Sequence, residues 1–293
     1  MFRNLEELVS QAQEAQQPLS SLMIDNEVES TGQSRQQVID QMAQRWRVME
    51  KAAHRGIGGV QSRSGMTGGD ARKLWDYVQQ GRTLTDSAFL NALSYALGTN
   101  EVNAAMGVIC ATPTAGSSGV LPGVLLMVQE RLQLTDDQVV HAMFTAAAVG
   151  YVVANNAVIS GAQGGCQAEV GTASAMAAAA AVELAGGSPQ QCADAAAMAL
   201  KNLLGLACDP LAGLVEVPCI KRNAGGAAVA LAAADMALAG IRSQVPVDEV
   251  ISAMYQIGQQ MPLSVKETAQ GGLAATPTGQ RWKELLWNSS VSE

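Results

Sequence analysis

An all-α fold is predicted: a single helical domain in which Ala-rich helices pack closely and Gly-rich loops converge on one site. Three observations carry that reading. Apolar residues recur at helical spacing along most of the chain, while period-2 alternation is nearly absent and no run of strands emerges. The apolar fraction is 48% with only 4% aromatic, so the core must come from Ala, Val, Leu, Ile and Met, whose small members let helices approach closely. Four segments rich in Gly, Ser or Thr punctuate the helices, and loops with this much Gly usually bring backbone close to something. Length alone admits one large domain or two, and no repeat of fixed period is apparent. Residues 1–293 read as one domain, with 1–55 as its N-terminal helical segment.

The elements follow from caps and periodicity. In SRQQVIDQMAQRWRVMEKAAHRG, Ser34 and Gln37 form a capping box, and Val38, Met42, Trp46, Met49 and Ala53 mark one buried face before Gly56. Thr135 with Gln138 opens a second apolar helix. TASAMAAAAAVELAGG and GGAAVALAAADMALAG are nearly all Ala, the best helix former. Ser188, Pro189 and Gln191 open another helix that Gly205 is expected to close, and Ser264 with Glu267 suggests a start near the C-terminus. The uncharged runs 102–129 and 142–168 are broken by Pro, Gly, Ser, Thr or Asn, so they read as buried core and not as membrane spans.

A net charge of −8 and a pI near 4.9 argue against nucleic acid, since phosphate binding needs clustered Lys and Arg. The opening MFRNLEELVSQAQEAQ lacks an apolar signal core and carries acids, so a cytoplasmic location is expected.

Five cysteines are an odd number, and a reducing compartment disfavours disulfides. Cys192 falls in a helix pattern as a small buried hydrophobe, and Cys110 is ambiguous. Cys166, Cys208 and Cys219 fall in Gly- or Pro-containing segments that suit ligands held by loop backbone. Their spacing does not match a structural zinc site. Three thiolates on a cubane would leave one iron open for Lewis-acid chemistry; plain burial or free thiols are the alternative.

The stretch QSRSGMTGG, residues 61–69, offers backbone N–H groups, hydroxyls and Arg63 to a carboxylate or phosphate, and TPTAGSSG offers Thr112, Thr114, Ser117 and Ser118. No P-loop pattern occurs, GIGGVQ fails the dinucleotide fingerprint, and no G-x-S-x-G elbow supports a serine triad. Of the two histidines, His54 ends the long N-terminal helix and His141 lies on an apolar one. Glu169, three residues after Cys166, and Lys221, two after Cys219, would lie near any metal those cysteines held, as proton carriers or as ordinary loop charges.

Four strings, SRSGMTGGDA, NEVNAAMGVICATPTAGSSGVLPG, SGAQGGCQAEVG and CDPLAGLVEVPCIKRNAGGA, resemble the signatures of the alpha chain of bacterial iron-sulfur L-serine dehydratases. The resemblance runs from the N-terminal helix to about Gly279. It implies an oxygen-sensitive 4Fe-4S cluster, no pyridoxal phosphate, and conversion of L-serine to pyruvate and ammonia. By motif, Cys166, Cys208 and Cys219 become the cluster ligands, and Ser62, Arg63, Ser64, Gly65 and Thr67 the site for the substrate carboxylate. The catalytic base stays open among Lys221, His54 and Glu169. Single-chain relatives carry a further cysteine at the extreme C-terminus, whereas this chain ends WNSSVSE, so its tail is not expected to cap the open iron. The resemblance also implies a separate beta chain, and nothing before Gly56 looks like that domain, so a hetero-oligomer is expected. Two competing readings are a pyridoxal-phosphate dehydratase, with Lys201 as the helical Schiff-base candidate, and a non-catalytic metal-stabilised scaffold for a partner chain.

Overall fold

The computed structural model describes residues 2–287. Among them the chain forms thirteen α-helices: α1 Leu5–Ala15, α2 Leu19–Thr31, α3 Arg35–Ile57, α4 Asp70–Gln79, α5 Ser87–Ala104, α6 Val120–Leu132, α7 Asp136–Asn156, α8 Gly161–Gly164, α9 Thr172–Leu184, α10 Pro189–Lys201, α11 Cys219–Leu238, α12 Val247–Gln260 and α13 Pro277–Trp287. No strand occurs among the described residues, only the isolated bridges Gln61 to Gly68 and Cys208 to Lys266.

Local chemistry sets the helix starts. Ser34, Thr135 and Ser188 each accept from the backbone N–H three residues on, and Gln37, Gln138 and Gln191 return the bond, so α3, α7 and α10 begin at complete capping boxes. Ser188→Ala is expected to cost about 1 kcal/mol and to lower the melting midpoint by roughly 2–4 °C in far-UV circular dichroism.

The Ala-rich α9 is the central post: every residue from Thr172 to Val182 is buried, and α6, α7, α10 and α11 pack around it. Small side chains let axes come close, as where α3 crosses α5. A Cβ on Gly56 would lie 2.2 Å from the backbone of Gly98, so the two glycines are what permit that crossing. On composition and length α7 could cross a membrane, but 61% of its apolar window is buried inside the protein.

Three expectations fail for physical reasons. No helix starts at Ser264, because Leu263–Val265 is a single 3-10 turn and Glu267 takes φ +62°. Backbone groups of that segment serve Cys208 instead, the Cys208 N–H donating to Val265 O (2.8 Å) and the Glu267 N–H to Cys208 O (2.7 Å). The α10 helix stops at Lys201, before Gly205, whose N–H donates to the buried Gln167 side chain (2.9 Å). Run 102–129 is not continuous core, since Met106 and Val108 stand 79% and 76% exposed on the loop between α5 and α6.

Candidate functional site

Hydrogen bonds draw the four Gly-rich segments together. The Thr114 hydroxyl donates to Glu169 Oε1 (2.7 Å), joining segment 110–123 to 161–171. Asn223 on α11 donates to Gly116 O and accepts from the Gly119 N–H, both at 2.8 Å, joining 110–123 to 207–226. Ser64 and Thr67 donate to Glu216 at 2.8 and 2.7 Å, joining 56–70 to the same segment.

Cys166, Cys208 and Cys219 lie near enough to one another, where these segments converge, for each charge to be felt by its neighbours. All are unpaired and buried, at 3%, 4% and 8% exposure. Their backbones are less loop-like than the sequence suggests. Cys166 stands at the head of a π turn, Gln167–Gly171, that runs into α9, and Cys219 is the first residue of α11, following Pro218. Cys208 alone sits in irregular backbone, clamped between Val265 and Glu267. Cys192 packs as a buried small hydrophobe in α10, and Cys110 lies half-buried in its loop.

The thiols sense one another. Burial pushes Cys166 up to about 11, with Arg222 opposing the rise and Glu169 adding to it. Burial, then Glu169 and Cys166, hold Cys208 far above the usual thiol range; burial, then Cys166 and Glu169, do the same to Cys219. Three protonated thiols would release protons on meeting a metal, so binding here is coupled to pH.

Among the described residues, no three His, Cys, Asp or Glu side chains close around a single metal ion. Three thiols with no fourth ligand among the described residues have the chemistry of donors to a larger group that takes one thiolate at each of several metals, and Cys166, Cys208 and Cys219 are the residues that would hold it. Glycine also clears room for close approach, because a Cβ on Gly161 would lie 2.9 Å from Cys208 Sγ and 2.5 Å from Glu169 Oε2.

Of the three candidate bases, Glu169 alone touches a thiol. Cys208 Sγ–H points to its Oε2 at 3.8 Å, and burial raises its carboxyl above the ordinary carboxylate value, against the Thr114 hydrogen bond. Lys221 turns away to pair with Asp70 at the start of α4, and its side chain is 56% exposed. His54 is exposed with its ring edge-on to Tyr95, 5.5 Å between centroids. Lys201 donates to Ser243 (3.3 Å), and His141 bonds the Asp137 carbonyl within α7.

Residues 62–67 differ from an open anion nest. The N–H groups of Ser62, Gly65, Met66 and Thr67 all bond within the loop, and the Ser64 and Thr67 hydroxyls are spent on Glu216. Arg63 is exposed and, among the described residues, makes no ion pair.

Sequence reasoning missed Glu216, Asp209, Arg222 and Asn223. Their only signal was position: Glu216 lies three residues before Cys219, Asp209 directly follows Cys208, and Arg222 and Asn223 lie one helical turn after Cys219. The C-terminal segment NSSVSE, 288–293, lies outside the described residues.

Fold and site together define an all-helical protein built around a buried three-thiol centre with an acidic neighbour. The chain matches the family described as serine dehydratase alpha chain over residues 14–274, and it belongs to that family. It is 57% identical to the probable L-serine dehydratase, alpha chain, of Bacillus subtilis (strain 168), covering 99% of this chain and 97% of the relative. The L-serine dehydratase, alpha chain, of Peptoniphilus asaccharolyticus is 45% identical over 74% of each chain. L-serine dehydratase 2 of Escherichia coli (strain K12) is 38% identical, and there the match covers 93% of this chain and 61% of the relative.

Proposed function

We propose that this chain is the cytoplasmic catalytic subunit of an L-serine ammonia-lyase, with Cys166, Cys208 and Cys219 holding a 4Fe-4S cluster. The observation that carries the proposal is the meeting of three buried, unpaired thiols beside Glu169 in a chain of this family. Once bound, the cluster supplies an iron free of protein ligands, a Lewis acid that weakens the β-carbon to oxygen bond of serine.

The chain's own residues do the rest. Arg63 binds the serine carboxylate, held at the loop tip by the tie from Ser64 and Thr67 to Glu216. Glu169 takes the Cα proton, and Thr114 fixes the orientation of that carboxylate. As the C–H bond breaks, its electrons form the Cα=Cβ bond and hydroxide leaves. The resulting aminoacrylate tautomerises to an imine, and water hydrolyses it to pyruvate and ammonia.

Two residues test these roles. Glu169→Gln is expected to lower kcat about 100-fold or more while the visible absorbance of the cluster stays; an unchanged kcat would remove Glu169 from the mechanism. Arg63→Ala is expected to raise KM for L-serine roughly 10–100-fold with kcat little altered, as loss of a charged hydrogen bond made before and during reaction requires. An unchanged KM would move the carboxylate site elsewhere.

Relatives named as alpha chains, and longer relatives of which this chain spans about three fifths, support a separate beta chain as partner. Anaerobic reconstitution with iron and sulfide, followed by visible and EPR spectra and a pyruvate assay with and without that beta chain, tests the whole reading. Activity that survived iron chelation but fell to carbonyl reagents would favour pyridoxal phosphate. A cluster without pyruvate in either condition would favour a scaffold.

A further inference from the structure

The three thiols come from two segments distant in sequence, Cys166 from 161–171 and both Cys208 and Cys219 from 207–226, so something must hold them in one arrangement while negative charge collects on them. One side chain reaches both segments. Arg222, on α11 one turn beyond Cys219, donates from Nη1 to the carbonyl of Ala207 (2.7 Å) and from Nη2 to Asp209 Oδ1 (2.8 Å). It thereby grips the residue on each side of Cys208. The same guanidinium is near enough to the Cys166 thiol for its charge to oppose the upward push of burial.

Its anchor is itself fixed. Asp209 is 7% exposed at its side chain, and its second oxygen accepts from the Leu273 N–H (2.7 Å). A Cβ on Gly272 would lie 2.3 Å from that oxygen, so the 271–273 turn closes directly on the carboxylate. Arg222 is 18% exposed at its side chain, which makes this ion pair a desolvated, charge-assisted contact and not a surface one. A planar guanidinium can make such a fork, whereas an ammonium offers a point charge.

We propose that Arg222 is the positioning residue of the three-thiol centre: its fork sets the geometry of Cys208 relative to Cys166 and Cys219, and its charge offsets the charge gathered on the ligands. This rests on the cluster reading above. Outer partners of metal ligands typically change metal affinity about 10–100-fold when removed, and nearby charge and hydrogen bonds to sulfur shift a cluster's reduction potential.

The test compares wild type, Arg222→Gln and Arg222→Lys after anaerobic reconstitution with iron and sulfide. Three quantities are read: iron and sulfide per chain, the half-life of the visible absorbance in air, and the midpoint reduction potential followed by EPR. Arg222→Gln is expected to shorten that half-life about 10–100-fold and to move the potential to more negative values. Arg222→Lys keeps the charge but not the fork, so it is expected to hold the potential near wild type while still losing the cluster faster. Wild-type half-life and potential in Arg222→Gln would overturn the proposal and leave the cluster reading standing. A wild-type chain that takes up no cluster would overturn both. If Arg222→Gln gives no cooperative melting transition as the apo chain, Arg222→Lys decides: a tenfold shorter half-life supports the proposal and a wild-type half-life overturns it.

Discussion

Cys208→Ala is expected to fold and yet form pyruvate from L-serine at no more than about 1% of the wild-type rate, with the 4Fe-4S absorbance absent after reconstitution. Folding survives because the backbone of Cys208, not its sulfur, carries the local structure through the bonds to Val265 and Glu267. Removing Sγ leaves that clamp intact but strips one of three ligands. Cys192→Ala is the matched control. Cys192 is equally buried but lies inside α10, away from the converging segments, so its loss is expected to cost about 1 kcal/mol of stability and no cluster. Full cluster content in Cys208→Ala would sink the ligand assignment.

Gly56→Ala is expected to cost about 3 kcal/mol or more, seen as a fall of roughly 6–12 °C in the melting midpoint of the apo chain. The new Cβ would stand 2.2 Å from the Cα, carbonyl carbon and oxygen of Gly98, and backbone atoms cannot rotate aside as a flexible side chain can. The α3 and α5 helices would have to separate, loosening the face that Trp46, Met49 and Ala53 share with Tyr95 and Ala96 in the same core. Gly205→Ala separates this from a generic glycine effect. Gly205 has φ +83° and nothing within 4 Å of the position of a Cβ, so only the left-handed backbone is penalised, at about 1–2 kcal/mol. Equal melting of Gly56→Ala and wild type would mean that the crossing can widen freely.

Helix starts were readable because each cap acts over three residues. Ser34, Thr135 and Ser188 meet their partners within one turn, whatever the rest of the chain does. Ser264 and Glu267 carry the same local signal and fail, because the backbone between them is recruited to hold Cys208, some 57 residues earlier by number (265 − 208). A pattern that is correct locally yields when a distant group claims its hydrogen bonds. Cys219 shows the reverse case. Pro218 makes its surroundings look like a loop, yet a proline just before the first helical residue is compatible with a helix start, and α11 begins there.

The sequence by itself determined the helical class, the caps, the Ala-rich centre and the four motifs whose resemblance pointed to the serine dehydratase alpha chain family. Each of these depends on residue types at short spacing. Only the tertiary structure decided which groups meet. It set Glu169 against Cys208 while turning Lys221 to Asp70 and leaving His54 beside Tyr95. It spent the hydroxyls of Ser64 and Thr67 on Glu216, 152 and 149 residues away. It also brought Arg222 to both flanks of Cys208. The reason is physical: a bond between distant residues exists only once helix packing has fixed the distance between them, and that distance is a sum over the whole core, which no short stretch of sequence encodes.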